Sequence, residues 1–498
     1  MRTLRQGDQG EDVRVLQRAL GRAGFDPGPA VGIFDPRVGL ALRVFQQANG
    51  LDADGVAGPL TWEALSPYME GEGIGFRKGD EGPYVQMIQL ALSRAGFHTG
   101  RLDGIYGPQT ESAVLAFQQA NGLGADGIVG KQTLAALKPY LTGYVEYTVQ
   151  RGDTFYNIAR RFGTSLEAVL TANSSTDPTR LQIGQKVTVP LGFKVVPTGI
   201  AYTSELVELI NEGLAARYPF IALETIGKSI MGAPIQALTI GTGSRHVFYN
   251  ASHHANEWIT TPVLLKFMED YAQAFATGGR IGDIPAARLY RGAMLHMAPL
   301  VNPDGVDLVT GALSAGSYYE QAKALAANYP SIPFPTGWKA NIRGVDLNSN
   351  YPADWERNRQ LKYAQGYTRP GPRDYVGPAP LSEPETQAIA RYTDAHNFAL
   401  TLSYHTQGKV IYWKYQNYEP PRAYAIGQKL AQASGYALEV GPANSYAGYR
   451  DWFIQQFNKP GYTVEAGLGE NPLPISQFDY IYRDNVGILT GAMDALIP

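Results

Sequence analysis

The sequence predicts a multidomain chain: two small all-α three-helix modules, one βααβ module and a large α/β domain. Three observations predict it. A block near the amino terminus recurs at a constant offset. A short unit has β-branched ends flanking two helical stretches. The remaining stretch of about 290 residues alternates helical and strand-like patterns, as α/β domains do. The length of 498 residues suggests about three domains. With 44% hydrophobic and 17% charged residues, the chain is globular material rather than a disordered or coiled-coil sequence. A formal net charge of -3, from 42 Lys+Arg against 45 Asp+Glu, argues against nucleic acid or acidic membranes as partners. Cysteine is absent, which excludes disulfides, thiolate-held metals and thiol catalysis. The amino-terminal MRTLRQGDQGEDVRVLQ lacks the apolar run of a signal peptide, and no segment reaches the roughly 18–20 apolar residues of a membrane span.

The duplication justifies the first two modules. LRQGDQG at 4–10 returns as FRKGDEG at 76–82, and VFQQANGLDADGVAG at 44–58 as AFQQANGLGADGIVG at 116–130. The offset is 72 residues throughout, which means two whole copies of one fold, at 1–70 and 73–140. Each copy reads helix, loop, helix, loop, helix. In the second, Val85, Ile88 and Leu92 form one apolar face, and Asp103-Gly104 and Asp126-Gly127 mark tight turns. Neither copy holds a catalytic cluster. The third unit spans 145–191. Its ends, 147–149 and 186–189, read as strands, and Ile158, Ala159, Phe162, Leu166, Val169 and Leu170 place two helices between them, with Thr154 as an N-cap.

These patterns resemble known wall-binding families. Gly7, Gly10, Val13, Leu16 and Gln17, with Asp103, Gly104, Gly107 and Thr110 in the second copy, resemble the peptidoglycan-binding-like domain. In the first copy, Val31, Gly32, Asp35 and Val38 replace the last four. The third unit resembles a LysM domain through Gly152-Asp153-Thr154, Ile158-Ala159, Asn173, Leu181 and Ile183-Gly184-Gln185. The resemblance implies binding of glycans that contain N-acetylglucosamine.

Residues 191–204 read as a connector that lets the modules fold separately from the last domain, 200–498. There the patterns suggest helices at 204–217, 259–276 and 385–397, and strands at 236–240, 289–295, 398–403 and 436–439. Six of the seven histidines lie in this domain: His246, His253, His254, His296, His396 and His405. In NASHHANEWITT, both His254-x-x-Glu257 and His253 with Glu257 can converge on one ion from a turn entering a helix. Zinc takes such nitrogen and oxygen donors and needs a third from elsewhere. His405 ends an apolar run in TLSYHTQG, the pattern of a strand delivering a side chain to a sheet rim. Tyr462, Val464 and Ala466 alternate with Thr463 and Glu465, as a strand does.

With those residues, the domain resembles the zinc metallocarboxypeptidase family, which implies a mixed central sheet and one Zn2+ per chain. The family register implies His254, Glu257 and His405 as the ligands, with His253 as the competing first ligand. Glu465 matches the catalytic glutamate that takes a proton from water and returns it to the leaving amine. In NIRGVDLNSNYP, Asp346 matches the carboxylate that orients the first zinc histidine, and Asn348 matches a substrate-contacting asparagine. Arg343 is the candidate for holding the oxyanion, with Lys339 in reserve. Tyr446 is the candidate for a mobile tyrosine that closes over substrate.

Two departures bear on specificity. Where the carboxypeptidases carry an arginine that grips the substrate's terminal carboxylate, this chain has Ser349, which cannot make a bidentate clamp. Arg450 stands in the specificity-pocket position and suits an acidic group, such as a carboxylate of meso-diaminopimelate. The whole chain is similar to the γ-D-glutamyl-meso-diaminopimelate peptidases of sporulating bacteria, which join wall-binding modules to such a zinc domain. That resemblance implies hydrolysis of the γ-D-glutamyl-diaminopimelate bond, with peptidoglycan glycan strands and stem peptides as partners; the charge balance and the absence of a long apolar run predict no nucleic acid and no membrane insertion. It also implies a place at the cell wall or spore, or in the cytoplasm of the sporulating cell. A carboxypeptidase of ordinary peptides and an inactive glycan-binding protein are the alternatives.

Overall fold

The computed structural model describes residues 3–65, 68 and 75–498. The end of the first copy at 70 and the stretch joining it to the second lie outside the described residues. In both copies a buried glutamine braces the turns. In the second, Gln89 Nε2 donates to Asp103 Oδ1, the Ile105 carbonyl and Thr110 Oγ1, while its Oε1 accepts the Gly104 amide. Gly104 adopts φ 76°, and a Cβ there would stand 2.9 Å from the Gly82 carbonyl, so the position requires glycine. In the first copy Val31 supplies no carboxylate, and Gln17 donates to the Pro29 and Ile33 carbonyls instead.

The third unit is closed by an antiparallel pair, β1 (Tyr144–Thr148) and β2 (Lys186–Pro190). The first strand therefore begins earlier than its β-branched residues suggest. Thr154 caps the helix Phe155–Arg161 by accepting the Asn157 amide. Asn173 ties the second helix to β2 through the Thr188 amide and carbonyl.

The last domain is built on an eight-stranded mixed sheet. Its strands are β3 (Ile221–Lys228), β4 (Pro234–Gly241), β5 (Arg245–Ala251), β8 (Ala293–Ala298), β9 (Phe398–His405), β10 (Val410–Tyr412), β11 (Ala437–Glu439) and β12 (Gly461–Glu465). A two-residue ribbon, β6 (Arg280–Ile281) with β7 (Ile284–Pro285), lies apart. The sheet order is β11-β10-β12-β9-β5-β8-β4-β3. The central run β12, β9, β5 and β8 is parallel, and both flanks bring in antiparallel pairs. Central strands read as continuous apolar runs because both faces are covered. The helix expected at 204–217 is Ser204–Arg217. Those expected at 259–276 and 385–397 are Thr260–Ala276 and Pro384–Ala395. The strand expected at 289–295 is corrected: Ala286–Gly292 is helical, and the strand starts at Ala293. Residues 289–295 read LYRGAML, and a stretch this short, holding the end of one element and the start of the next, does not distinguish helix from strand.

The connector is also corrected. Val195, Val196, Ile200 and Tyr202 are buried in one hydrophobic cluster with Val85, Met87, Leu90 and Leu141 of the second copy and Leu206, Ile210 and Leu214 of the large domain. Polar contacts cross the same seam. Arg94 donates to the Lys194 and Val195 carbonyls at 2.8 and 2.9 Å, the Val195 amide donates to Glu269 Oε1 at 2.6 Å, and Arg217 donates to the carbonyls of Gly143 and Leu191. Among the described residues no helix is long and apolar enough to cross a membrane.

Candidate metal centre and active site

The site forms at the carboxyl ends of the parallel strands, where side chains leave the sheet without ladder partners. After β5, Ser252 takes φ 54° and turns the chain into His253, His254 and the short helical turn Ala255–Glu257. His405 is the last residue of β9, and Glu465 is its register partner at the end of β12. Three neighbouring strands thus deliver three parts of one site.

His254, Glu257 and His405 converge, all buried. His254 Nδ1 lies 3.0 Å from Glu257 Oε1, His405 Nδ1 lies 2.9 Å from Glu257 Oε2, and the two Nδ1 atoms are 3.2 Å apart. The donor spacing fits the edge of a zinc tetrahedron, about 3.3 Å for bonds of about 2.0–2.1 Å, and two imidazoles with one carboxylate suit zinc chemically. His254 Nε2 faces Asp346 Oδ1 at 3.1 Å, which places the ring proton there in the neutral form and leaves the Nδ1 lone pair to the cluster. Asp346 is itself held by the amides of Asn348 and Asp374. His253 turns away: its Nε2 pairs with the Tyr351 hydroxyl at 2.9 Å.

The electrostatics follow from burial and close charges. Burial pulls the His254 imidazole down, but Glu257 and Asp346 outweigh it and hold the group up at about 9. Burial pushes the Glu257 carboxyl up, yet His254 and Lys339 keep it well below the ordinary carboxylate range. Glu465 goes the other way. Burial, then the nearby Glu257 charge, push it up to about 8.

The remaining expected residues are placed unequally. Lys339, half-buried, puts Nζ 3.2 Å from Glu257 Oε1. Arg343 is not brought to the cluster: its Nε and Nη2 donate to Glu383 Oε2 at 3.1 and 2.9 Å. An unusually buried acid, Glu383, captures the cation that spacing alone makes a candidate. Asn348 Oδ1 accepts the Tyr449 amide at 3.0 Å, which locks the side chain to the start of the helix Tyr449–Phe457. Arg450 is buried, donates to Asp451 Oδ1 and lies 5.7 Å from the Tyr412 ring centroid, near enough to act on Glu465 electrostatically. Tyr446 is 4% exposed, packed in the cluster of Tyr351 and Trp452 with the Arg357 guanidinium over its ring. Sequence reasoning missed Thr406 and Asn471, which hydrogen-bond to Glu257. Only adjacence to His405 marks the first, and no spacing marks the second.

Comparisons with known proteins agree with this geometry. Residues 208–486 match the family model of the zinc carboxypeptidases. Residues 9–65 and 81–137 match a putative peptidoglycan binding domain, and 147–190 match the LysM domain. The chain is 43% identical over 401 residues to gamma-D-glutamyl-L-diamino acid endopeptidase 1 of Lysinibacillus sphaericus, covering 70% of this chain and 100% of that protein. It is 40% identical over 296 residues to the uncharacterized protein YqgT of Bacillus subtilis, covering 59% and 77%. The catalytic chain of human carboxypeptidase N is 27% identical over 203 residues, covering 38% and 39%.

Proposed function

The chain belongs to the zinc carboxypeptidase family, and from that premise we propose that it hydrolyses the γ-D-glutamyl-meso-diaminopimelate bond of peptidoglycan stem peptides. It is a zinc-dependent metallopeptidase, and its peptidoglycan-binding and LysM modules associate it with the cell wall. The observation that carries the substrate reading is Arg450, a buried cation close enough to act on Glu465, the register partner of His405. The 43% identity to an endopeptidase named for a diamino acid supports the same choice.

In this reading His254, Glu257 and His405 hold the zinc ion. When bound, zinc supplies Lewis acidity and makes water a nucleophile near neutral pH. Glu465 takes the proton from the attacking water and passes it to the leaving amine. Burial, which disfavours its charged form, suits it to carry that proton between the two steps. Lys339, not Arg343, stabilises the oxyanion, because it is the cation at the cluster and Arg343 is held by Glu383. The Asn348 amide, with its oxygen fixed by Tyr449, presents its nitrogen to the substrate backbone. Ser349 leaves no clamp for a terminal carboxylate, so a peptide can continue past the cleaved bond. Arg450 keeps donors beyond those shared with Asp451 and pairs with a diaminopimelate carboxylate. The finer placement at the wall of the spore or sporulating cell rests on the resemblance to peptidases of sporulating bacteria. Fractionating sporulating against vegetative cultures tests it.

Paired kinetics on γ-D-glutamyl-diaminopimelate and γ-D-glutamyl-lysine substrates test the specificity. One charge-assisted contact is worth roughly 1.5–3 kcal/mol, so kcat/KM is expected to favour diaminopimelate about 10- to 150-fold. Arg450→Ala should shrink that ratio, mainly by slowing the diaminopimelate substrate. Equal rates in the parent, or a ratio untouched by the substitution, would remove Arg450 from recognition.

A further inference from the structure

Asn471 lies in the loop that follows β12, six residues beyond Glu465 in AGLGENPLP. The loop tip at Leu468–Glu470 is exposed, and at Asn471 the chain returns to the site. There Asn471 Oδ1 accepts the Thr406 hydroxyl at 2.7 Å. Its Nδ2 donates to the Thr406 carbonyl at 3.0 Å and reaches Glu257 Oε1 at 3.5 Å. The Thr406 amide completes the ring by donating to Glu257 Oε2 at 3.2 Å. The orientation of the amide is forced. The Thr406 carbonyl and the Glu257 carboxylate are acceptors only, so nitrogen must face them, and the hydroxyl donor must face Oδ1.

Two features make this contact consequential. Glu257 ends a three-residue helical turn, too short to be rigid through its own hydrogen bonds. The sheet register stops at the pair His405 and Glu465, so the Thr406 carbonyl has no ladder partner on β12, and a buried carbonyl needs one. Asn471 answers both needs with one side chain and ties them to the loop that follows Glu465.

We propose that Asn471 is a positioning residue. Together with Thr406 it clamps the Glu257 carboxylate and the end of β9, and so holds Glu257 and His405 at the spacing that suits zinc. The same contacts hold the 466–474 loop against the site.

Zinc affinity, measured by competition with a chromophoric chelator on the full-length protein, tests the clamp without relying on turnover. Loss of groups that orient metal ligands typically costs about 10- to 100-fold in affinity. Asn471→Ala and Thr406→Val are each expected to raise the zinc Kd by about tenfold or more. The double variant should be no weaker than the worse single one, because both remove the same unit. Thr406→Ser keeps the hydroxyl and should bind zinc as the parent does. The Tm of the zinc-free proteins separates positioning from folding, since a merely structural role lowers that Tm and leaves Kd unchanged. Should Asn471→Ala fail to fold, Thr406→Val, close to isosteric, carries the test alone. A Kd within about twofold of the parent in a folded variant, or additive losses in the double variant, overturns the clamp. The inference rests on the zinc site: a parent that takes up no zinc overturns that site and the clamp with it, whereas a zinc-binding parent with unaffected variants overturns the clamp alone.

Discussion

At the scale of single residues, the site separates groups that differ little in sequence but greatly in surroundings. Lys339 and Arg343 are four positions apart, and only Lys339 reaches Glu257. Lys339→Ala is therefore expected to lower kcat by about 100- to 1,000-fold, the usual scale for a lost oxyanion donor. Arg343→Ala should leave kcat within about tenfold and lower Tm, because Glu383 then stays buried without its cation. Steady-state kinetics and thermal melts of both variants check this, and the reverse order of effects on kcat would return Arg343 to the mechanism. Glu465 is not part of the ligand cluster. Glu465→Gln should keep one zinc per chain and lose about 100- to 10,000-fold in turnover, as loss of a general base does. Metal analysis alongside kinetics decides it: a zinc-loaded variant with near-parent turnover would remove Glu465 from proton transfer.

At the scale of elements, the sheet sorts the six histidines of the large domain into two groups. His253, His254 and His405 lie at the carboxyl ends of β5 and β9. His246, His296 and His396 gather toward the other end, where His296 Nε2 lies 3.1 Å from His246 Nδ1 and Nδ1 lies 2.8 Å from the Tyr392 hydroxyl. Burial first, then His396 and His246, hold His296 down to about 3. The folded group stays neutral, while the unfolded one takes up a proton near 6.5. Stability from this site is full above about pH 6.5 and is lost as pH falls toward 3, at up to about 1.4 kcal/mol per unit. Thermal melts between pH 7 and 4.5 should show a falling Tm, and His296→Gln should flatten that slope whatever its absolute Tm. An equal slope in the two proteins would show that other groups set the acid limb. Periodicity placed most elements near this sheet correctly, because amphipathic helices and β-branched strands announce themselves locally. It misplaced the strand at 289–295, where a helix ends and a strand starts within one short stretch.

At the scale of the whole molecule, the second copy is part of the enzyme's frame. Its helix Pro83–Arg94 turns Tyr84, Met87 and Leu90 toward the large domain. At the matching positions the first copy has Asp12, Val15 and Arg18. Deleting residues 1–72 is therefore expected to keep Tm and soluble-substrate kcat/KM near the parent's and to weaken binding to insoluble wall. Deleting 1–190 should strip the cover from Leu206, Ile210 and Leu214, take Gly143 from Arg217, and cost several kcal/mol at roughly 1.5–3 kcal/mol per large side chain uncovered. Melting curves and pelleting with purified wall measure both, and a 1–190 deletion that melts like the parent would show the seam to be dispensable.

By itself the sequence determined the repeat, the βααβ unit, the α/β domain and the histidine–glutamate motif, because each is written in local spacing or in exact internal copies. Only the tertiary structure brought His254 rather than His253, and Lys339 rather than Arg343, to the Glu257 carboxylate, and packed Tyr446 among Tyr351 and Trp452. It also brought Asn471 to a ligand 214 positions away and fused the second copy to the enzyme. The reason is physical: a buried charge or amide goes to the partner that satisfies it, and that partner is chosen by packing across the sheet and between modules, not by distance along the chain.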